Sequence, residues 1–128
     1  MTVKEILKRL SESDVTEDEI IAYLGHSYFI VVANALMALG RKMRQDTNLR
    51  SDKWLPYLQP LTENDDVKNI ELVGGIKTSY LLVSCLWDIG TDKAYEMANQ
   101  YLNTLSDDDR EYIEKFYEEW NIWNKEIY

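Results

Sequence analysis

The chain has 128 residues, with 23 Asp and Glu against 14 Lys and Arg, giving a formal net charge of −9. That length suits one domain, and 45% hydrophobic residues with 12% aromatic are enough for a core. An acidic surface repels nucleic-acid phosphates and anionic lipid, so neither is an expected partner, and the longest apolar run, about a dozen residues broken by Asn34, falls short of the ~20 that cross a bilayer.

The opening stretch MTVKEILKRL mixes charged and apolar residues and does not read as a signal peptide, so a cytoplasmic protein is expected. Cys85 is the single cysteine, in keeping with a reducing compartment. Two prolines and five glycines among abundant Leu, Ala, Glu and Lys favour helices, and the expected fold class is all-α in a single compact domain. Charge is unevenly placed. Residues 1 to 60 carry 8 bases and 8 acids, whereas residues 61 to 128 carry 6 bases and 15 acids. The acidic half would steer a basic partner toward itself, or serve only as a solvated face.

In chain order, Val3, Ile6, Leu7 and Leu10 share one face of a predicted helix over 3 to 10. Thr16 and Glu19 have capping-box spacing and start a helix over 17 to 24, which Gly25 is expected to stop in a left-handed conformation. Ser27 is the expected cap of the next helix, YFIVVANALMALG, which is apolar on nearly every side and runs to Gly40 or Met43. Between Arg44 and Asp66 a polar connection holds a short helical piece near Trp54 to Leu58, with Pro56 in its first turn and Pro60 ending it. A second apolar helix, TSYLLVSCLWDIG, closes on Gly90. Thr91 then precedes a helix with a stripe of Ala94, Met97, Ala98, Tyr101, Leu102 and Leu105. Ser106 and Asp109 form a cap-like pair before a last helix whose Ile113, Phe116, Trp120, Trp123 and Ile127 make a narrow seam. Within that helix, Arg110 with Glu114 and Glu111 with Lys115 stand four apart, as pairs do on a helix surface.

The two apolar helices echo each other. An offset of about fifty residues places Gly25 on Gly75, Ala35 on Cys85, Leu36 on Leu86 and Gly40 on Gly90, which reads as a helical-hairpin repeat with units 16 to 43, 66 to 90 and 91 to 128, the last a terminal hairpin. Two buried helices sliding onto each other by chance is the alternative. The segments YLGHSYFIVVANALMALGRK and LLVSCLWDIGTDKAYEMANQYLNTLSDDDREYI resemble HEAT-like repeats, over residues 16 to 43 and 66 to 120. The resemblance implies stacked antiparallel helical hairpins, about three α-α units, and a scaffold for binding rather than a catalyst.

Chemistry is poorly provided for. His26 is the only histidine, so a His-rich metal site, a Ser-His-Asp triad and a Cys-His pair with a second His are not expected, and at a Gly-His-Ser turn it reads as a capping or surface residue. Cys85, on an apolar helix without a basic neighbour, reads as core. GGIKTS has the glycines and Lys-Thr of a phosphate loop but not its spacing, and reads as a turn between helices. TENDD and SDDD lack the glycine and terminal Glu of a calcium loop and read as helix caps. No catalytic residue, cofactor or metal is expected.

What remains is a surface for a protein. On the last helix Asp107, Asp108, Glu111, Tyr112, Glu114, Tyr117 and Glu118 combine acids with aromatics and are the residues expected to contact a basic partner. Small, acidic helical proteins of this kind resemble bacterial immunity proteins, which implies an inhibitor that occludes a basic toxin, a nuclease being one possibility. The rival readings are an adaptor or subunit of a larger assembly, with Trp123 and Tyr128 in an apolar interface, and a small-molecule enzyme with Glu71 or Asp88 as a buried acid.

Overall fold

The computed structural model describes residues 1–126, and side chains as far as Trp120 apart from Val73. Expectations that involve the side chains of Trp123, Ile127 and Tyr128 lie outside the described residues. Among those residues the chain forms eight α-helices and no strand, an all-α single domain.

Helices begin where side chains satisfy the orphan amides. Helix α1, Val3–Leu10, starts with a capping box between Thr2 and Glu5, and α2, Glu17–Leu24, with the one predicted between Thr16 and Glu19. Ile6 and Leu10 are buried, Leu7 half-buried, and Val3 sits at the exposed edge. Gly25 ends α2 at φ −92°, not in the left-handed region. The chain turns instead through His26 and Ser27 into α3, Phe29–Gln45. Ser27 does not cap α3. Its N-cap is Tyr28, whose own N–H donates to His26 Nδ1 at 3.0 Å.

Gly40 does not end α3 either. The helix continues to Gln45, and Gly40 lies fully inside it because Trp120 occupies the space where a side chain would stand. Beyond it, Asp46 caps a short 3-10 turn over Thr47–Leu49, and Trp54 Nε1 ties that turn down by donating to the Leu49 carbonyl at 2.8 Å. Helix α4, Leu55–Thr62, accepts Pro56 in its first turn but also contains Pro60, so the helix outlasts its second proline by one more buried leucine, Leu61. Its buried face of Leu55, Leu58 and Leu61 holds the turn in place despite the missing amide. Asn64 caps the short α5, Asp65–Asn69.

Residues 70 to 77 form a tight link with a distorted 3-10 turn, Val73–Gly75, at its centre. Leu72 N–H donates to Ile76 O at 2.6 Å, Thr78 N–H to Ile70 O at 3.2 Å, and Gly74 and Gly75 take the left-handed φ values of +82° and +76° that the reversal requires. GGIKTS is thus a turn entering α6, Thr78–Ile89, which closes on Gly90 in the left-handed conformation. Thr91 caps α7, Asp92–Leu102, and Ser106 Oγ accepts from Asp109 N–H at the start of α8, Asp107–Glu126.

The core is built on α3 and α6, which pack on each other and are buried on almost every side. The fifty-residue offset in the sequence carries one onto the other; it carries α2 onto α5 and the link that follows it. Helices α2 and α3 form one hairpin, α6 and α7 a second, and α1 lies against α3. Helix α8 packs chiefly across α6 and α3 through Ile113, Phe116 and Trp120. None of the helices is long and apolar enough to cross a membrane, among the described residues.

Two buried charges hold this arrangement. The Arg41 guanidinium, 5% exposed, donates through Nη2 to the Leu10 carbonyl at 2.8 Å, so a cation of α3 closes the negative end of α1. Asp88 on α6, 4% exposed, accepts from Arg44 Nε and Nη2 at 3.2 Å, from Tyr117 Oη at 2.8 Å and from Trp120 Nε1 at 2.8 Å. One carboxylate therefore ties α3, α6 and α8 together, with its charge compensated and its oxygens filled.

Candidate protein-interaction surface

Helix α8 divides its residues by periodicity. Positions 113, 116 and 120 face the core, the opposite arc carries Asp108, Glu111, Glu114 and Glu118, and Glu119 stands at its edge next to Phe116, all five acids exposed. Lys115 is the basic residue on that arc. Asp107 also points outward, but it is ion-paired with Arg110, which takes Asp107 in preference to the Glu114 suggested by spacing. Arg110 leans back over the first turn, where its Nη1 also reaches the Leu102 carbonyl at 3.5 Å. Among the described residues Asp108, Glu111, Glu114, Glu118 and Glu119 form no ion pair, so their charges add along one side of the helix.

Asp109 is different in kind. It turns toward α6, where it accepts from Lys77 Nζ at 3.1 Å and from Tyr80 Oη at 2.7 Å. Burial alone would raise its carboxyl, but the hydrogen bonds from Tyr80 and Lys77 outweigh that and hold it below the usual carboxylate range. The same burial, with Asp109 adjacent, pushes the Tyr80 phenol well up. This pair fixes α8 to the glycine turn.

The two tyrosines expected at the surface go to opposite edges of the helix. Tyr112 is 63% exposed and stacks on Tyr80 with ring centroids 6.2 Å apart and planes 19° apart. Tyr117 is half-buried, donates to Asp88, and meets Trp87 edge-on at 5.1 Å. Burial first, then Asp88, pushes its phenol up. Tyr112 therefore faces outward with the acids, and Tyr117 supports the Asp88 hub.

Beside Tyr112 lies a groove of about 610 Å³ between the Gly74-Gly75 turn and α8, floored by Tyr80 and Phe116 and bordered by Ile76, Lys115 and Glu119. No spacing in the sequence marks the groove as a whole. Its helical side was nonetheless legible, since Tyr112, Phe116 and Glu119 stand at i, i+4 and i+7 and must share a face; its other wall depends on how residues 70 to 77 fold back.

The residues considered for catalysis are placed otherwise. Glu71 is exposed, a correction to the buried acid expected there: its backbone bridges to Lys77 across the turn and leaves the side chain outside. Asp88 is buried, and its oxygens are taken by Arg44, Tyr117 and Trp120. Cys85 is fully buried, its thiol pushed up by burial and its Sγ 3.2 Å from the Leu36 carbonyl. Among the described residues no group of three or more His, Cys, Asp and Glu is arranged to hold a metal ion. Comparison with protein-family models, curated proteins and solved structures gives no match.

Proposed function

We propose that this chain is a non-catalytic protein-binding module of HEAT-like type that engages a basic protein through α8, acting as an immunity or antitoxin-type inhibitor that occludes its target. The observation that carries this reading is the acidic arc of Asp108, Glu111, Glu114, Glu118 and Glu119, in no ion pair among the described residues, beside the exposed Tyr112. Asp108 lies in the first turn, where the helix dipole favours an acid; the acids further along repel one another with Lys115 alone among them, and a basic surface docking there relieves that repulsion and is steered in by the field. Carboxylates of the arc would stand in for substrate phosphates at Lys and Arg of a toxin, and the mechanism is exclusion of its substrate.

The test is capture from the source cell's lysate at low and high salt, with the intact chain and with a variant carrying Asp108→Ser, Glu111→Gln, Glu114→Gln and Glu118→Gln. A basic protein held by the parent, released by salt and by the substitutions, and losing its own activity at one equivalent of the parent, is the expected result. Capture that survives both salt and substitution removes the acidic arc from the interface and the inhibitor reading with it.

A further inference from the structure

Resting on that reading of α8, we infer that the groove between the Gly74-Gly75 turn and α8 seats an arginine side chain of the protein partner. Its floor is aromatic, and its edge carries one carboxylate, Glu119, and one ammonium, Lys115. Tyr80 backs the ring of Tyr112 at 6.2 Å, so the phenol is held in one plane while most of the side chain stays open to solvent. Phe116 extends the floor, 6.2 Å from Tyr80. Glu119 borders the same groove, exposed, and in no ion pair among the described residues.

A flat aromatic surface with a carboxylate at its edge matches guanidinium on both counts. The planar, weakly hydrated cation stacks on the ring, and its N–H fork pairs with a carboxylate. A lysine ammonium is compact and strongly hydrated and uses only the second of these. The volume, about 610 Å³, exceeds one side chain and admits the stem together with adjacent backbone. That backbone meets a wall without side chains, because Gly74 and Gly75 are left-handed and have nothing within 4 Å of where a Cβ would be. Asp109, tied to Lys77 and Tyr80, is not available to the guest, which leaves Glu119 as its carboxylate. Lys115 also lines the groove and opposes a guest cation, so its removal should tighten binding.

The experiment is an NMR titration of the full chain with acetyl-Gly-Arg-Gly-amide and with its citrulline counterpart, which keeps the shape of arginine and lacks its charge. The arginine peptide should give saturable shifts at Gly74, Gly75 and Tyr112 and the citrulline peptide several-fold weaker ones. Tyr112→Ala and Glu119→Gln should each weaken the arginine peptide about threefold or more, and Lys115→Ala should strengthen it. Equal responses to the two peptides overturn the inference without any variant. So do shifts confined to the acidic arc and indifferent to Tyr112→Ala, a result that leaves the arc itself standing as the docking face. A saturable groove response alongside salt-insensitive capture of the partner does the reverse, keeping the groove and removing the arc.

Discussion

Trp120 fits against Gly40 so closely that a Cβ on the glycine would lie 2.4 Å from the indole Cζ2. Helix α8 reaches α3 only because this one position carries no side chain. Gly40→Ala would gain helix propensity in isolation, yet here it forces the indole outward and strains its hydrogen bond to Asp88. We expect a net loss of about 2 kcal/mol in urea unfolding, with part of it recovered when Trp120→Phe is added.

Asp88 and its donors give a second test. Asp88→Ala removes the acceptor that Tyr117 Oη and Trp120 Nε1 share and takes the counter-charge from Arg44, whose side chain is 16% exposed. The expected cost is about 3 kcal/mol. Tyr117→Phe removes one donor while leaving the carboxylate paired, and should cost about 1 kcal/mol. Tyr112→Ala, on the other edge of α8, should change stability by less than about 0.5 kcal/mol. Denaturant midpoints of the three variants separate the hub from the surface.

Arg41 joins α3 to the end of α1. Arg41→Met keeps the stem but leaves the Leu10 carbonyl without its donor, and α1 should fray first. Hydrogen exchange should show protection falling across residues 3 to 10 by about tenfold or more, with the α3–α6 core little affected.

Acid should loosen the α1–α2 contact. Glu19 accepts from Arg9 Nε and Nη2 at 2.7 Å, and chiefly through these bonds its carboxyl is lowered from 4.5 to about 2. A depressed carboxylate stabilises the fold fully above its unfolded value and loses that contribution as pH falls from about 4.5 toward 2. With 31% of the side chain exposed, solvent screening limits the effect to about 1 kcal/mol. Stability measured between these pH values should fall more steeply for the parent than for Glu19→Gln.

Much of this architecture is written locally in the sequence. The Thr16–Glu19 box, the Ser106 cap and the Ile113, Phe116, Trp120 seam each depend on residues within a turn or two of one another, and spacing reveals them. The acids of α8 were legible for the same reason. What spacing misreads is a residue whose partner lies far along the chain. Gly40 looks like a helix stop and is a seat for an indole; Tyr117 looks like a contact residue and serves Asp88. The groove was hidden in the same way, since half of it is the Gly74-Gly75 turn, whose position is set by the hydrogen bonds of residues 70 to 78 rather than by any pattern in α8.

Cys85, sealed where α6 meets α3, gives the molecule a clock for its own opening. A thiol reagent can reach it only in the moments when those two helices part. At low reagent the labelling rate reads how often the open form is populated, and at high reagent it reads how fast the helices separate. A bound partner that clamps α8 over this pair would slow that clock, so engagement of a distant acidic face becomes visible as the lifetime of a single unreacted sulfur.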